Sequence, residues 1–161
     1  MTSAPLRSLS DIDEDIRRVL TERFQHAFMI GVSKAVRGEA IHDPTQEDVV
    51  LEKAAAFNRT LPSPVDSECL ASLFKEIMAC AVDLQNQLIA QWPEKGFGAE
   101  ATMAADLLNQ HRQRISELNQ EIIRLVSERS QGSEGVPSQS PPPDPSLWGG
   151  YLNRIFARIS Q

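Results

Sequence analysis

Apolar residues recur three and four places apart from the start of the chain: Leu9, Ile12, Ile16, Val19, Leu20, Phe24, Ala27, Phe28, Ile30 and Gly31. That spacing keeps one side of a helix apolar and predicts a first helix over roughly 10–37. Ser10 with Asp13 supplies an N-cap signal, and Gly38 a stop. In IHDPTQEDVVLEKAAAF a short loop leads into a second helix. Asp43 is placed to cap it, Pro44 suits its first turn, and Glu47 and Asp48 complement the positive end of its dipole. After the turn-rich TLPSPVDSE, the positions Leu70, Leu73, Phe74, Ile77, Met78, Ala81, Leu84 and Leu88 predict a third helix over about 65–92. WPEKGFG breaks it, and a fourth helix follows over about 99–130. No stretch alternates with a period of two, so the expected fold is all-α, a bundle of about four long helices.

The fourth helix repeats the first. With an offset of 106 positions, Ser116 falls on Ser10, Ile122 on Ile16, Arg124 on Arg18, Glu128 on Glu22 and Arg129 on Arg23. The apolar positions agree too, pairing Leu9 with Ile115, Ile12 with Leu118, Val19 with Leu125 and Leu20 with Val126.

Eleven of the sixteen residues over 131–146 are Ser, Pro or Gly, a composition with too little apolar surface to offset its ordering entropy. The expected organisation is a helical domain over 1–130, a flexible linker over 131–146 and a short amphipathic helix over 147–161. Tyr151, Leu152, Ile155, Phe156 and Ile159 share one side of that last helix. It either docks back on its own domain or serves as a tethered peptide for a protein partner or membrane surface, with Arg154 and Arg158 favouring the latter mildly.

The totals narrow the function. A chain of 161 residues, 41% hydrophobic and 24% charged, is the size of one domain with one core. A net charge of −6 offers no footprint for nucleic acid, so any anion must be held locally by a few basic groups. No apolar run approaches the ~20 residues that span a bilayer. Cys69 and Cys80 lie about three turns apart on one helix, too far to bridge. This suits a cytoplasmic protein, or an exported one whose signal peptide is absent from this numbering. His26, His42 and His111 have no metal-ligand spacing, and no nucleotide, CxxC or nucleophile motif occurs. Neither a metal nor a cofactor is expected.

Arg23 and Lys34 are eleven residues apart, close to three full turns, so both point the same way from an otherwise apolar side of the first helix. Two like charges there are costly unless an anion sits between them. Ala81 and Gln85, at i and i+4, place an uncharged amide near the core of the third helix.

The stretch from LRSLSDIDEDIRRVLTERFQ through VSKAVRGEAIHDPTQEDVV, followed by LASLFKEIMACAVDLQNQL, resembles the all-helical (AroQ-type) chorismate mutases. Trp92 and the downstream Asp106, Leu107, Arg112, Ile115, Leu118 and Asn119 are similar to the gamma subclass, whose members are often exported and complete the active site with an extra helix of the same chain. In small dimeric members of the family the first helix carries an arginine into the neighbouring subunit. The repeat implies that this chain supplies it in cis. The family slot is Leu6 in the first copy, with Arg7 one place off, and Arg112 in the second, with Arg114 as a competitor.

The resemblance implies rearrangement of chorismate, a dianion, to prephenate inside one chain, without cofactor or metal. It implies Lys34, Gln85 and Arg23 as catalytic groups. Lys34 and Gln85 would meet the breaking ether oxygen, Arg23 and Arg112 the carboxylates, and Asp43 and Glu47 the substrate hydroxyl. Two positions depart from the family: Gln46 stands where it has Arg, and Ala81 where it has Ser or Thr. These departures leave open a related pericyclic reaction, pyruvate release from isochorismate or rearrangement of aminodeoxychorismate, and a non-catalytic mutase-like binding protein. A homodimer, and a protein partner through 147–161, also stay open.

Overall fold

The computed structural model describes residues 8–36, 42–90, 108–131 and 147–159. They form five helices: α1 Leu9–Val36, α2 Pro44–Asn58, α3 Ser67–Ala90, α4 Leu108–Gln131 and α5 Leu147–Ile159, with no strand among the described residues. The expected stop at Gly38, the break at Trp92, the Leu6 and Arg7 slot, Asp106 and Leu107, and the linker over 132–146 lie outside the described residues.

Each start has a visible cause. Ser8, not Ser10, caps α1: its Oγ accepts from the Asp11 amide at 3.1 Å, and acidic Asp11 sits in the first turn. Ser10 is already inside the helix, where its hydroxyl cannot reach the unsatisfied amides ahead of it. Asp43 caps α2 as expected, with Oδ1 accepting from the Gln46 amide at 3.1 Å and Pro44 in the first turn. Asp66 caps α3, its Oδ1 accepting from the amides of Glu68 and Cys69 at 3.0 and 3.1 Å. The α2–α3 turn is closed by Asn58, whose side chain donates to the Val65 carbonyl at 2.7 Å and accepts from its amide at 2.9 Å. Ser127 Oγ then ties that turn to α4 through the Ser63 carbonyl, at 2.6 Å.

α1 and α4 lie alongside each other and run antiparallel. Asp13 meets Arg129, Arg23 meets Asn119 and His26 meets His111, so positions rise on one helix as they fall on the other. Ile12, Ile16, Leu20 and Phe24 of α1, Phe74 and Ile77 of α3 and Ile122 and Ile123 of α4 are all but fully buried. Each such side chain contributes about 1.5–3 kcal/mol by leaving water. α5 docks on α1 and α3 of its own chain. Tyr151, Leu152, Ile155 and Phe156 are buried, Tyr151 donates its phenol to Asp83 at 2.6 Å, and Arg154 Nε pairs with Glu76 at 2.9 Å. Burial, and the bond to Asp83, raise the Tyr151 phenol above its ordinary pKa. Among the described residues no helix is long and apolar enough to cross a membrane.

Candidate active site

Between α1, α2, α3 and α4 lies a cavity of about 900 Å³. All eight residues marked by sequence reach it: Arg23 and Lys34 from α1, Asp43, Gln46 and Glu47 from the cap and first turn of α2, Ala81 and Gln85 from α3, and Arg112 from α4. The eleven-residue spacing does put Arg23 and Lys34 on one face, and both are buried. Arg114, the competing arginine, does not line the cavity. It lies at the surface with Nη2 3.1 Å from Glu22 Oε1 and Nη1 3.1 Å from Glu117. Those carboxylates raise its pKa, and Arg114 in turn lowers that of Glu22.

Arg23 is 4% exposed, and its Nε donates to Asn119 Oδ1 at 2.7 Å. Burial pushes the guanidinium down to about 10. No carboxylate among the described residues is close enough to offset that desolvation, which amounts to an uncompensated cost on the order of 3 kcal/mol. An anion entering the cavity would relieve it.

Gln85 is buried, and its Nε2 donates to the Ala27 carbonyl of α1. A primary amide has two N–H groups, so one remains for a ligand. The contact depends on Gly31: a Cβ there would stand 2.7 Å from Gln85 Cγ, so only a residue without one lets the glutamine lie against α1. Asp43 has one oxygen engaged in its cap, and Glu47 Oε1 is 3.2 Å from His42 Nε2. Ala81 lines the cavity with a methyl group.

Several lining residues were not marked as site residues by sequence. Lys53 adds a fourth cation, and Ser116, Asn119 and Gln120 give α4 a polar edge toward the cavity. Helix arithmetic could have found Lys53, which lies two turns after Gln46. The role of Asn119 had no local signal, because its partner is 96 positions away. Arg23, Lys34, Lys53 and Arg112 outnumber Asp43 and Glu47, a local cationic excess in a chain of net charge −6. Among the described residues no group of three His, Cys, Asp or Glu could hold a metal ion.

The fold and cavity define a helical bundle with a cavity of cationic excess between four of its helices. The sequence profile of the family described as chorismate mutase type II matches residues 6–86, half of the chain. The bifunctional chorismate mutase/prephenate dehydratase of Neisseria gonorrhoeae is 31% identical over 98 residues, covering 60% of this chain and 26% of that protein. The protein of the same description from Aquifex aeolicus is 24% identical over 127 residues, 77% of this chain and 35% of its own length. The chain thus spans about a quarter to a third of the length of these curated relatives. No solved structure matches it. The chain belongs to the chorismate mutase type II family. The matched span ends within α3, so it does not include α4 or Arg112.

Proposed function

We propose that this chain is a chorismate mutase that rearranges chorismate to prephenate by holding it in its reactive conformer. The observation that carries the reading is the convergence of Arg23, Lys34, Gln85 and Arg112 on one cavity within a single chain. A Claisen rearrangement needs no acid, base or covalent intermediate. The protein must fold the substrate so that its reacting carbons meet, and stabilise charge on the ether oxygen as that bond breaks.

Arg112 and Arg23 take the two carboxylates, since a planar guanidinium can grip one bidentately. Lys34 sits between a carboxylate and the ether oxygen, and the second N–H of Gln85 donates to that oxygen. Asp43 and Glu47 accept from the ring hydroxyl. Gln46 takes the position where the family has arginine, and Lys53, two turns further along the same face of α2, supplies the missing positive charge to the same wall. The helical domain with α5 docked on it is the catalytic unit, and the site needs no second copy of the chain.

Purified protein incubated with chorismate should consume it and yield prephenate. Lys34→Ala should cut kcat by at least ~10²-fold, the usual consequence of losing one preorganised donor, while leaving the far-UV circular dichroism unchanged. The replacements at Gln46 and Ala81 favour one second reading, a chorismate relative with different ring substituents. Pyruvate release from isochorismate, or turnover of aminodeoxychorismate in preference to chorismate, would establish it. No turnover of any of the three would leave a mutase-like binding protein and overturn the proposal.

A further inference from the structure

The two similar helices are related by a local two-fold, and its two halves differ by one amide. The offset that maps Arg23 onto Arg129 also maps Asp13 onto Asn119. Across the antiparallel α1–α4 contact, Arg23 Nε donates to Asn119 Oδ1 at 2.7 Å and Arg129 Nε donates to Asp13 Oδ1 at 2.7 Å. These are the same bond made twice, once in each direction, between buried side chains. The charges differ. Arg129 faces a carboxylate and is neutralised by it, whereas Arg23 faces a neutral amide. The consequence follows the cavity: Arg23 lines it and Arg129 does not.

We infer that Asn119 is the positioning residue that keeps Arg23 available to an anionic substrate, and that Asp13 at the equivalent place closes the second half of the pseudo-symmetric pair by turning its arginine into a structural ion pair. An asparagine oxygen accepts the Nε–H bond in the same geometry as a carboxylate oxygen. It therefore fixes the guanidinium plane without cancelling its charge, and the terminal nitrogens of Arg23 have no other partner among the described residues. A buried arginine held by an aspartate would meet the substrate carboxylate with its charge already spent on a neighbour. The inference deepens the proposed mutase reading and rests on it for the identity of the anion.

The test is Asn119→Asp, isosteric with the wild type, beside Asp13→Asn. Asn119→Asp should raise the melting temperature of the ligand-free protein by giving Arg23 a counter-ion, and raise KM for chorismate at least tenfold, with kcat changed much less. Asp13→Asn should lower the melting temperature and leave kcat/KM within twofold. A merely structural Asn119 would give the opposite pattern, with the aspartate losing stability or leaving KM alone. Either result for Asn119→Asp overturns the inference while the mutase reading stands on wild-type turnover. If the wild type does not turn over chorismate, the mutase reading falls. The melting temperatures of the two variants then decide the charge assignment by themselves.

Discussion

Gly31→Ala is the smallest change that should separate packing from chemistry in this bundle. Glycine in a helix interior costs about 1 kcal/mol relative to alanine, so propensity alone predicts that the variant is more stable. The structure predicts the reverse. The new Cβ would lie 2.7 Å from Gln85 Cγ, 3.0 Å from Cδ and 3.1 Å from Cβ, and the last of these is fixed by the α3 backbone. Relief requires either a shift of α3 away from α1 or a new rotamer of Gln85, and both disturb its bond to the Ala27 carbonyl. Overpacking of this kind costs about 1–3 kcal/mol and the lost hydrogen bond about 1 kcal/mol. The net expectation is a loss of about 2 kcal/mol, or ~4–8 °C in melting temperature for a chain of this size. Activity should fall further than stability does, by ~10²-fold in kcat, because the displaced amide is one of the donors proposed for the ether oxygen. Calorimetry and steady-state kinetics on the same sample provide the check. A variant that melts at or above the wild-type temperature refutes the packing argument. One that melts lower yet keeps kcat within twofold removes Gln85 from the chemistry.

Arg112→Ala should lower kcat/KM by ~10²-fold or more, whereas Arg114→Ala should leave it within twofold, because only the former lines the cavity; the reverse order in a kinetic assay would move the cis arginine to position 114. The His26 and His111 rings meet with Nδ1 atoms 2.8 Å apart, so only one proton fits between them. Burial, and then the neighbouring His26, lower the pKa of His111 below its ordinary value, so its contribution to stability is present above about pH 6.5 and is lost as the pH falls below that. Glu22 Oε2 lies 3.4 Å from His26 Nε2, on the side of that ring away from His111 Nδ1. The drop in melting temperature between pH 7 and pH 5 should accordingly be shallower in His111→Phe, and an unchanged slope would exclude the pair as its source. Tyr151→Phe removes the phenol that anchors α5 to Asp83 and should cost about 1 kcal/mol in denaturant unfolding without altering kcat; a change in kcat would tie α5 to the site.

What the sequence makes legible is what lies within one helix. The period of apolar residues places the starts of α1 and α3 within two residues of Leu9 and Ser67. It also sets Arg23 and Lys34 on one face. The α1 cap is misplaced because Ser8 and Ser10 are each followed three residues later by an aspartate, and the two signals are locally equivalent. Arg112 and Arg114 cannot be ranked by alignment alone, but two residues turn a helix by ~200°, so only one of them can face the cavity. What is not legible arises between helices. Gly31 counts only as a small apolar position until Gln85 is seen against it, and Asn119 is a polar edge residue until Arg23 arrives. The docking of α5 is settled by Phe24 beside Tyr151, ring centroids 6.4 Å apart, and by the Asp83 anchor, neither of which has any sequence neighbour to announce it.

The bonds that set the walls of the cavity are made by the groups proposed to meet the substrate, and this couples binding to folding. Gln85 joins α3 to α1 and Arg23 joins α1 to α4. Arg23 is a buried charge that no carboxylate of the described residues offsets, so part of the cost of folding there is desolvation that an anion would offset. A ligand that binds the folded chain alone stabilises it by RT ln(1 + [L]/Kd), about 2.7 kcal/mol at a hundred times Kd. For a chain of 161 residues that is an upward shift of ~5–10 °C in melting temperature. The shift should require both negative charges of the ligand, since the cations stand on different helices. A monocarboxylate at the same concentration would engage α1 or α4 singly, bind with a larger Kd and shift melting correspondingly less. A dianion that shifts melting no further than a monoanion would mean that Arg23 and Arg112 do not act on one molecule, and the cavity would then be a cationic surface cleft without a catalytic role.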